Sequence, residues 1–241
     1  MVYTEEYRIN SHDCDLNNNA RPSSVLRYMQ ETANLQMKNY GPSNDELREK
    51  GMAFILSKIN ISFYSSLHAF DNIRVETWAV ESRGVSFNRC SRVYRGQDLV
   101  AEMVGVFALV DFVNNKFCKV ADIQFGFDAE PNSLELDTPA RFKIPDSAEL
   151  GLIGEYLVGY SETDVNRHMN NTNYLDVYCN YLPDNKNTRV ISAVINYQTE
   201  APLGSFVKIY RGRDDDGAYY FRTVREDGKV NSESYIMTDR I

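Results

Sequence analysis

The chain has 241 residues, of which 43% are hydrophobic and 25% are charged, and its formal net charge is −8. This length accommodates one large domain or two smaller ones, each able to bury a core. The acidic balance argues against nucleic acid and anionic membranes as partners, because both attract basic surfaces. No apolar run approaches the roughly 18 residues of a membrane span, and acidic residues stand where a signal peptide carries basic ones. We therefore expect a cytoplasmic protein.

The cysteines and histidines do not suggest a metal site. The chain has three histidines and four cysteines that lie far apart, without a C-x-x-C pair: Cys14, Cys90, Cys118 and Cys179. This spacing favours neither zinc binding nor a disulfide framework. We expect free thiols and no metal or other cofactor.

The first half begins with a helical pattern and continues with strands. Pro22 precedes a stripe of apolar residues at helical spacing, formed by Leu26, Met29, Ala33 and Met37. Ser43 and Glu46 have the capping-box pattern, which predicts a second, short helix ending before Gly51. Turn-forming residues then separate β-type segments at 83–84, 96–98 and 114–115. We predict a helix followed by an antiparallel meander.

An acidic partner would need a local basic surface on this acidic chain. The densest arginine run of the first half comprises Arg83, Arg89, Arg92 and Arg95. A solvated strand edge explains the same residues equally well.

Residues 128–149, DAEPNSLELDTPARFKIPDSAE, are rich in proline and acidic residues and have no clear period. Such composition is typical of a linker. We predict an N-terminal repeat at 1–127, this linker, and a C-terminal repeat at 150–241.

The second half repeats the order of elements in the first. Residues 7–26, YRINSHDCDLNNNARPSSVL, and residues 156–175, YLVGYSETDVNRHMNNTNYL, align on Asp15 and Asp164. Residues 56–75 and 190–209 each read as strand, polar turn and strand. We expect the halves to pack as a pseudo-symmetric pair that completes a continuous sheet, and leave open a homodimer of the whole chain.

Asp164, Asn166 and His168 form a polar triplet whose members are two positions apart. An extended backbone would direct the three side chains to one side. Capping residues follow at 170–173, so we place the triplet at a helix N-terminus, where free amides stabilise an oxyanion. An Asx turn that only caps the helix explains the triplet alone equally well.

Only the second half has both titratable groups of the candidate site. The first half has Asn19 where His168 stands and Ser66 where Glu200 stands. Glu200 follows a β-type segment and precedes a turn, which predicts a carboxylate at a strand end, facing a cleft. Glutamate at a turn is more often a solvated surface residue. We predict a catalytic second half and a degenerate first half.

These residues resemble a known family. DVNRHMNNTNYLD at 164–176 and INYQTEAPLG at 195–204 are similar to the acyl-acyl carrier protein thioesterases of plants and bacteria. The resemblance covers nearly the whole chain and implies an α+β tandem hotdog fold, two repeats each with a long helix wrapped by an antiparallel sheet. It also implies that the acyl chain enters a tunnel shaped largely by the first half.

The resemblance implies that the chain hydrolyses the thioester of fatty acyl-acyl carrier protein, with acyl carrier protein as its partner. The products would be free fatty acid and carrier protein, and the reaction would end fatty acid synthesis. Asp164, Asn166, His168 and Glu200 would be catalytic. We expect Glu200 to act as general base or water orienter, His168 as its partner, Asn166 as carbonyl polariser and Asp164 as a positioning group. Plant members often carry Cys directly after the Glu; Ala201 excludes a thiol nucleophile here.

Three alternatives remain open. An acyl-coenzyme A thioesterase uses a single hotdog unit with a similar Asp-Asn-His string. A non-catalytic acyl-ligand binding protein has the same fold, but does not require His168 and Glu200, and a DNA-binding regulator needs a basic segment that is not visible. A dehydratase is disfavoured because its typical sequence signature is not apparent.

Overall fold

The first half of the chain forms one strand, two helices and five further strands. Its elements are β1 (Tyr3–Arg8), α1 (Pro22–Tyr40), α2 (Asn44–Glu49), β2 (Met52–Phe63), β3 (Asn72–Val80), β4 (Ser86–Arg95), β5 (Asp98–Asp111) and β6 (Lys116–Phe117). The Ser43 hydroxyl accepts a hydrogen bond from the Glu46 amide, and the Glu46 carboxylate accepts one from the Ser43 amide. The predicted capping box is therefore formed, and it begins α2.

These strands pair antiparallel in the order β1-β3-β4-β5-β2, with β6 against β5. Strands β3, β4 and β5 form a meander, but β2 pairs with β5 and β1 pairs with β3. The predicted simple meander was wrong in two respects, because a strand precedes the helix and β2 crosses to the far side of the meander.

The second half has one helix and five strands in the described residues. They are β7 (Gly151–Leu157), α3 (Asn173–Asn180), β8 (Thr188–Tyr197), β9 (Phe206–Arg213), β10 (Tyr219–Arg225) and β11 (Val230–Arg240). Their order is β8-β11-β10-β9-β7, which is the pairing order of the first half read from the opposite end. The prediction of an α+β fold with two repeats is confirmed. The helices differ in length, 19 residues in α1 and 8 in α3, so the longer first half is due to α1 as well as α2.

This computed structural model describes residues 1–137 and 142–241. The chain divides into two compact units, the first comprising Met1–Ala20 and Ser24–Asp137 and the second comprising Arg21–Ser23 and Thr138–Ile241. The division lies within the predicted linker at 128–149, of which residues 138–141 lie outside the described residues. The repeat boundaries at 127 and 150 stay a prediction.

Both described ends of the predicted linker pack against a unit. The Glu130 amide donates to the Ala79 carbonyl at 2.8 Å, and Leu134 packs against the buried cluster of Trp78, Val80 and Cys90. In the second unit, Phe142 and Ile144 pack against the cluster of Ala148, Ala218 and Tyr220. Apolar residues spaced through the acidic segment therefore anchor it at both ends.

The two units have different interiors. In the first, the buried residues Met37, Leu47, Leu109 and Cys118 pack against partly buried rings, including Phe54 and Phe87 with centroids 5.2 Å apart. In the second, the buried Tyr178 ring lies 4.9 Å from Phe221, and the Tyr178 hydroxyl is hydrogen-bonded to Ser232. The first interior is therefore largely apolar here, whereas the second combines aromatic rings with hydroxyl groups.

Three of the four arginines of the predicted run, Arg89, Arg92 and Arg95, lie on β4 and make structural contacts, whereas Arg83 precedes β4 and is exposed. Arg92 pairs with Glu102 at 2.7 Å and Arg95 pairs with Asp71 at 3.2 Å. Arg89 donates to the Gln36 side chain, and burial lowers the pKa of Arg89 to about 10. For these three arginines, the contacts favour a structural role over a basic docking surface.

None of the helices in the described residues is long and apolar enough to cross a membrane. The four cysteines are free thiols, of which Cys90 and Cys118 are buried. Within residues 1–137 and 142–241, no group of three or more His, Cys, Asp or Glu side chains is arranged to hold a metal ion.

Candidate active site

The polar triplet lies in a tight turn. The Arg167 amide donates to the Asp164 carbonyl at 3.0 Å, and the Asp164 amide donates to the His168 carbonyl at 3.0 Å. The Asp164 carboxylate accepts the Asn166 amide at 2.8 Å. The prediction of an extended segment was therefore wrong, because the Asp164 side chain bonds a neighbouring amide and stabilises a turn.

The loop that follows β8 holds this turn in place. The Met169 amide donates to the Ala201 carbonyl at 2.9 Å, and the Leu203 amide donates to the Arg167 carbonyl at 3.0 Å. His168 Nε2 lies 3.2 Å from a carboxylate oxygen of Glu200, with the side chains 30% and 58% exposed respectively. The structure thus brings together the two titratable residues, although 32 positions separate them in the chain.

The first unit contains the same turn. The Asp15 amide donates to the Asn19 carbonyl at 2.8 Å, and the Asp15 carboxylate accepts the Asn17 amide at 2.8 Å. Asn18 has a φ of 61°, and Arg167 at the corresponding position has a φ of 64°. The turn is therefore a structural feature of both repeats, independent of any chemistry.

The pairing of the turn with the next loop is also repeated. The Ala20 amide donates to the Leu67 carbonyl at 2.7 Å, as Met169 does to Ala201 in the second unit. This register aligns Asn19 with His168 and Ser66 with Glu200, which agrees with the alignment made from the sequence. The imidazole and carboxylate pair is what distinguishes the second unit.

The start of α3 is less available to a ligand than its sequence indicates. The Thr172 amide donates to the Asn170 side chain and the Asn173 amide to the Asn170 carbonyl, each at 2.9 Å. The Asn170 amide in turn donates to the Glu162 carbonyl. Asn170 already accepts hydrogen bonds from these two amides. An oxyanion bound at the helix N-terminus, as the sequence predicts, would have to compete with Asn170 for them.

Two residues that the sequence analysis missed hold the backbone at Glu200. An Arg225 Nη1 donates to the Glu200 carbonyl at 3.0 Å. The side-chain amide of Asn231 donates to the Thr199 carbonyl. The backbone carbonyl of Asn231 accepts hydrogen bonds from the Gln198 and Thr199 amides at 2.9 and 3.1 Å. Asn231 is completely buried, near the start of β11. A polar residue of low β propensity in a strand was the available signal.

Tyr174 on α3 extends this polar network towards the helix. The Asn231 amide donates to the Tyr174 hydroxyl at 2.9 Å, and the Tyr174 ring packs edge-on against Tyr197 at 5.2 Å. Burial raises the pKa of Tyr174 to about 12, and the Glu200 carboxylate contributes in the same direction. Tyr174 therefore stays neutral near pH 7 and acts as a hydrogen-bonding group.

The chemistry that this arrangement permits is general acid–base catalysis. A carboxylate and an imidazole in contact can bind a water molecule, accept its proton and return a proton to a leaving group. The Asn166 side-chain amide is exposed in the same turn and contacts the Asp164 carboxylate at 3.4 Å. Asn166 can therefore offer a donor to a bound carbonyl group. The catalytic roles of all four residues stay a prediction.

The chain matches two family models. The model described as the acyl-ACP thioesterase N-terminal domain matches residues 1–124, and the one described as the C-terminal domain matches residues 147–237. Together they account for both repeats.

Two chloroplastic proteins are similar to this chain. A chloroplastic palmitoyl-acyl carrier protein thioesterase from Cuphea hookeriana is 20% identical over 236 residues, covering 91% of this chain and 57% of that protein. A chloroplastic acyl-[acyl-carrier-protein] hydrolase from Cuphea viscosissima is 22% identical, with the same coverage. The chain thus spans little more than half the length of these curated relatives.

Among solved structures, an acyl-ACP thioesterase from Bacteroides thetaiotaomicron has a TM-score of 0.85 at 16% identity, covering 99% of this chain and 98% of that one. The 12:0-ACP thioesterase from Umbellularia californica has a TM-score of 0.82 at 14% identity, covering 100% of this chain and 98% of that one. The predicted tandem hotdog fold is confirmed.

Proposed function

Because the chain belongs to the acyl-ACP thioesterase family, we propose that it hydrolyses the thioester of fatty acyl-acyl carrier protein. The products are free fatty acid and the carrier, so the reaction ends fatty acid synthesis. The observation that carries the proposal is the 3.2 Å contact between His168 and Glu200, in the repeat that retains both titratable groups.

The reaction follows from the chemistry of these two side chains. The Glu200 carboxylate accepts a proton from water while the water oxygen attacks the acyl carbonyl carbon. The tetrahedral oxyanion then collapses and breaks the carbon–sulfur bond. The leaving thiolate takes a proton through His168, so one water is consumed and one thiol is released. Thiolates leave readily near neutral pH, so this step needs modest assistance.

The other two residues have supporting roles. Asn166 donates its exposed side-chain amide to the carbonyl oxygen of the substrate and stabilises the charge that develops there. Asp164 acts through the turn, because its carboxylate holds the Asn166 amide. Ala201 provides no thiol, so a cysteine at this position cannot attack the thioester.

A substrate comparison tests the proposed function. We expect the protein to release thiol from acyl-acyl carrier protein with a kcat/KM at least about tenfold above that for the same acyl group on coenzyme A, an additional 1.4 kcal/mol of transition-state stabilisation. A higher kcat/KM on acyl-coenzyme A would mean that the substrate is acyl-coenzyme A and not acyl-acyl carrier protein. Saturable binding of acyl carrier protein without any thiol release would instead identify a binding protein.

A further inference from the structure

Arg167 has an unusual position in the candidate site. It directly precedes His168, it is exposed, and its φ of 64° lies in the left-handed region. Its amide donates to Asp164 and its carbonyl accepts the Leu203 amide, so its backbone is held on both sides. The side chain therefore extends from a fixed point beside the catalytic candidates.

Arginine is energetically unfavourable in this left-handed backbone conformation. Asn18 occupies the corresponding position of the first unit with nearly the same φ, 61°. Asparagine and glycine tolerate the left-handed region, whereas a long side chain strains it. The second unit thus has an arginine, which this backbone conformation disfavours, directly beside the reactive pair.

The positive charge of the Arg167 side chain is free to bind a ligand. Neighbouring cations have partners: Arg225 pairs with Asp227 at 3.3 Å, and Lys229 lies 3.7 Å from the same carboxylate. Within residues 1–137 and 142–241, by contrast, the Arg167 guanidinium has no hydrogen bond or ion pair. An exposed, unpaired cation on a chain of net charge −8 is suited to an anionic ligand.

We propose that Arg167 binds the phosphodiester of the phosphopantetheine arm that carries the acyl chain. The inference rests on the proposed function, which places the thioester end of this arm at His168 and Glu200. The pantetheine arm ties the phosphate covalently to that end. A guanidinium forms paired hydrogen bonds with phosphate, which an asparagine at this turn would not provide.

Three thioesters of one acyl chain test the phosphate contact, because acyl carrier protein and coenzyme A contain this phosphate and N-acetylcysteamine lacks it. We expect Arg167→Gln to raise KM about five- to tenfold on the first two, with little change in kcat and no change on the third. Arg167→Lys should recover part of the loss. Arg213→Gln, at the far end of β9, removes the same charge and should leave all three KM values unchanged.

The other outcomes overturn the proposal. If Arg167→Gln raised KM on acyl-acyl carrier protein alone, Arg167 would contact acidic side chains of the carrier. An equal loss of kcat/KM on all three substrates would assign Arg167 to the chemical step or to the fold. Unchanged kinetics on all three would show that Arg167 does not bind the substrate.

Binding and stability measurements separate this inference from the proposed function. By calorimetry, the wild type should bind 4′-phosphopantetheine more tightly than pantetheine, and Arg167→Gln should remove the difference, whether or not any thioester is hydrolysed. Arg167→Gly should raise the melting temperature by about 2 °C while raising KM, because glycine relieves the backbone strain. Equal binding of the two pantetheines would contradict the phosphate contact.

Discussion

Glu200→Gln is expected to lower kcat on acyl-acyl carrier protein by about 10²- to 10⁴-fold while leaving the protein folded. Glutamine keeps the size and shape of glutamate, but its amide cannot accept the proton of the attacking water. The Glu200 side chain is 58% exposed, so the melting temperature should change little. Steady-state thiol release, followed alongside thermal unfolding, measures both quantities. His168→Ala should cause a loss of similar size.

The first unit provides the matched control for these variants. Ser66 corresponds to Glu200 in the repeated loop, so Ser66→Ala changes the same structural position without touching the reactive pair. We expect its kcat to stay within about twofold of the wild type. Near wild-type turnover by folded Glu200→Gln would remove Glu200 from the mechanism. A large loss in Ser66→Ala would mean that the reactive residues lie in the other repeat.

Asn231→Leu is expected to destabilise the protein by about 3 kcal/mol, which lowers the melting temperature by roughly 6 to 12 °C. The variant leaves the partly buried Thr199 carbonyl and the buried Tyr174 and Thr223 hydroxyls without the hydrogen bonds that the Asn231 side chain makes. Because the segment before Glu200 then loses its support, we also expect kcat to fall about tenfold. Thermal unfolding and single-substrate kinetics measure the two effects.

Ser234→Ala is the control for Asn231→Leu. Ser234 lies on the same strand and is completely buried, but its hydroxyl has no hydrogen-bond partner among the described residues. Removing an unpaired buried hydroxyl should be neutral or slightly stabilising. If Asn231→Leu proved as stable and active as Ser234→Ala, the Asn231 side chain would have no supporting role at Glu200.

Repetition made much of the fold predictable from sequence. Asp15 and Asp164 aligned the two halves, and the structure shows the same turn and the same loop register at both positions. Local patterns were also sufficient for the capping box at Ser43 and for the apolar stripe of α1, in which Leu26, Met29 and Met37 are buried. Strand order was not predictable, because the pairing of β2 with β5 depends on contacts between distant segments.

The site was predictable in composition but not in geometry. The sequence asymmetry between His168 and Asn19 identified the repeat with titratable groups. The Asp164 carboxylate bonds the Asn166 amide, so the triplet lies in an Asx turn and not in an extended segment. Asn231 was missed because its partner Thr199 is 32 positions away, and no local pattern reports a contact of that kind.

A single-turnover reaction in water enriched in oxygen-18 tests direct water activation by Glu200 and His168. With enzyme in excess over acyl-acyl carrier protein, we expect each fatty acid released to carry one oxygen-18 atom, because the attacking oxygen comes from water. Glu200 recovered from the protein should be unlabelled. Unlabelled fatty acid together with oxygen-18 in the Glu200 carboxylate would contradict this mechanism and show that Glu200 itself attacks the thioester.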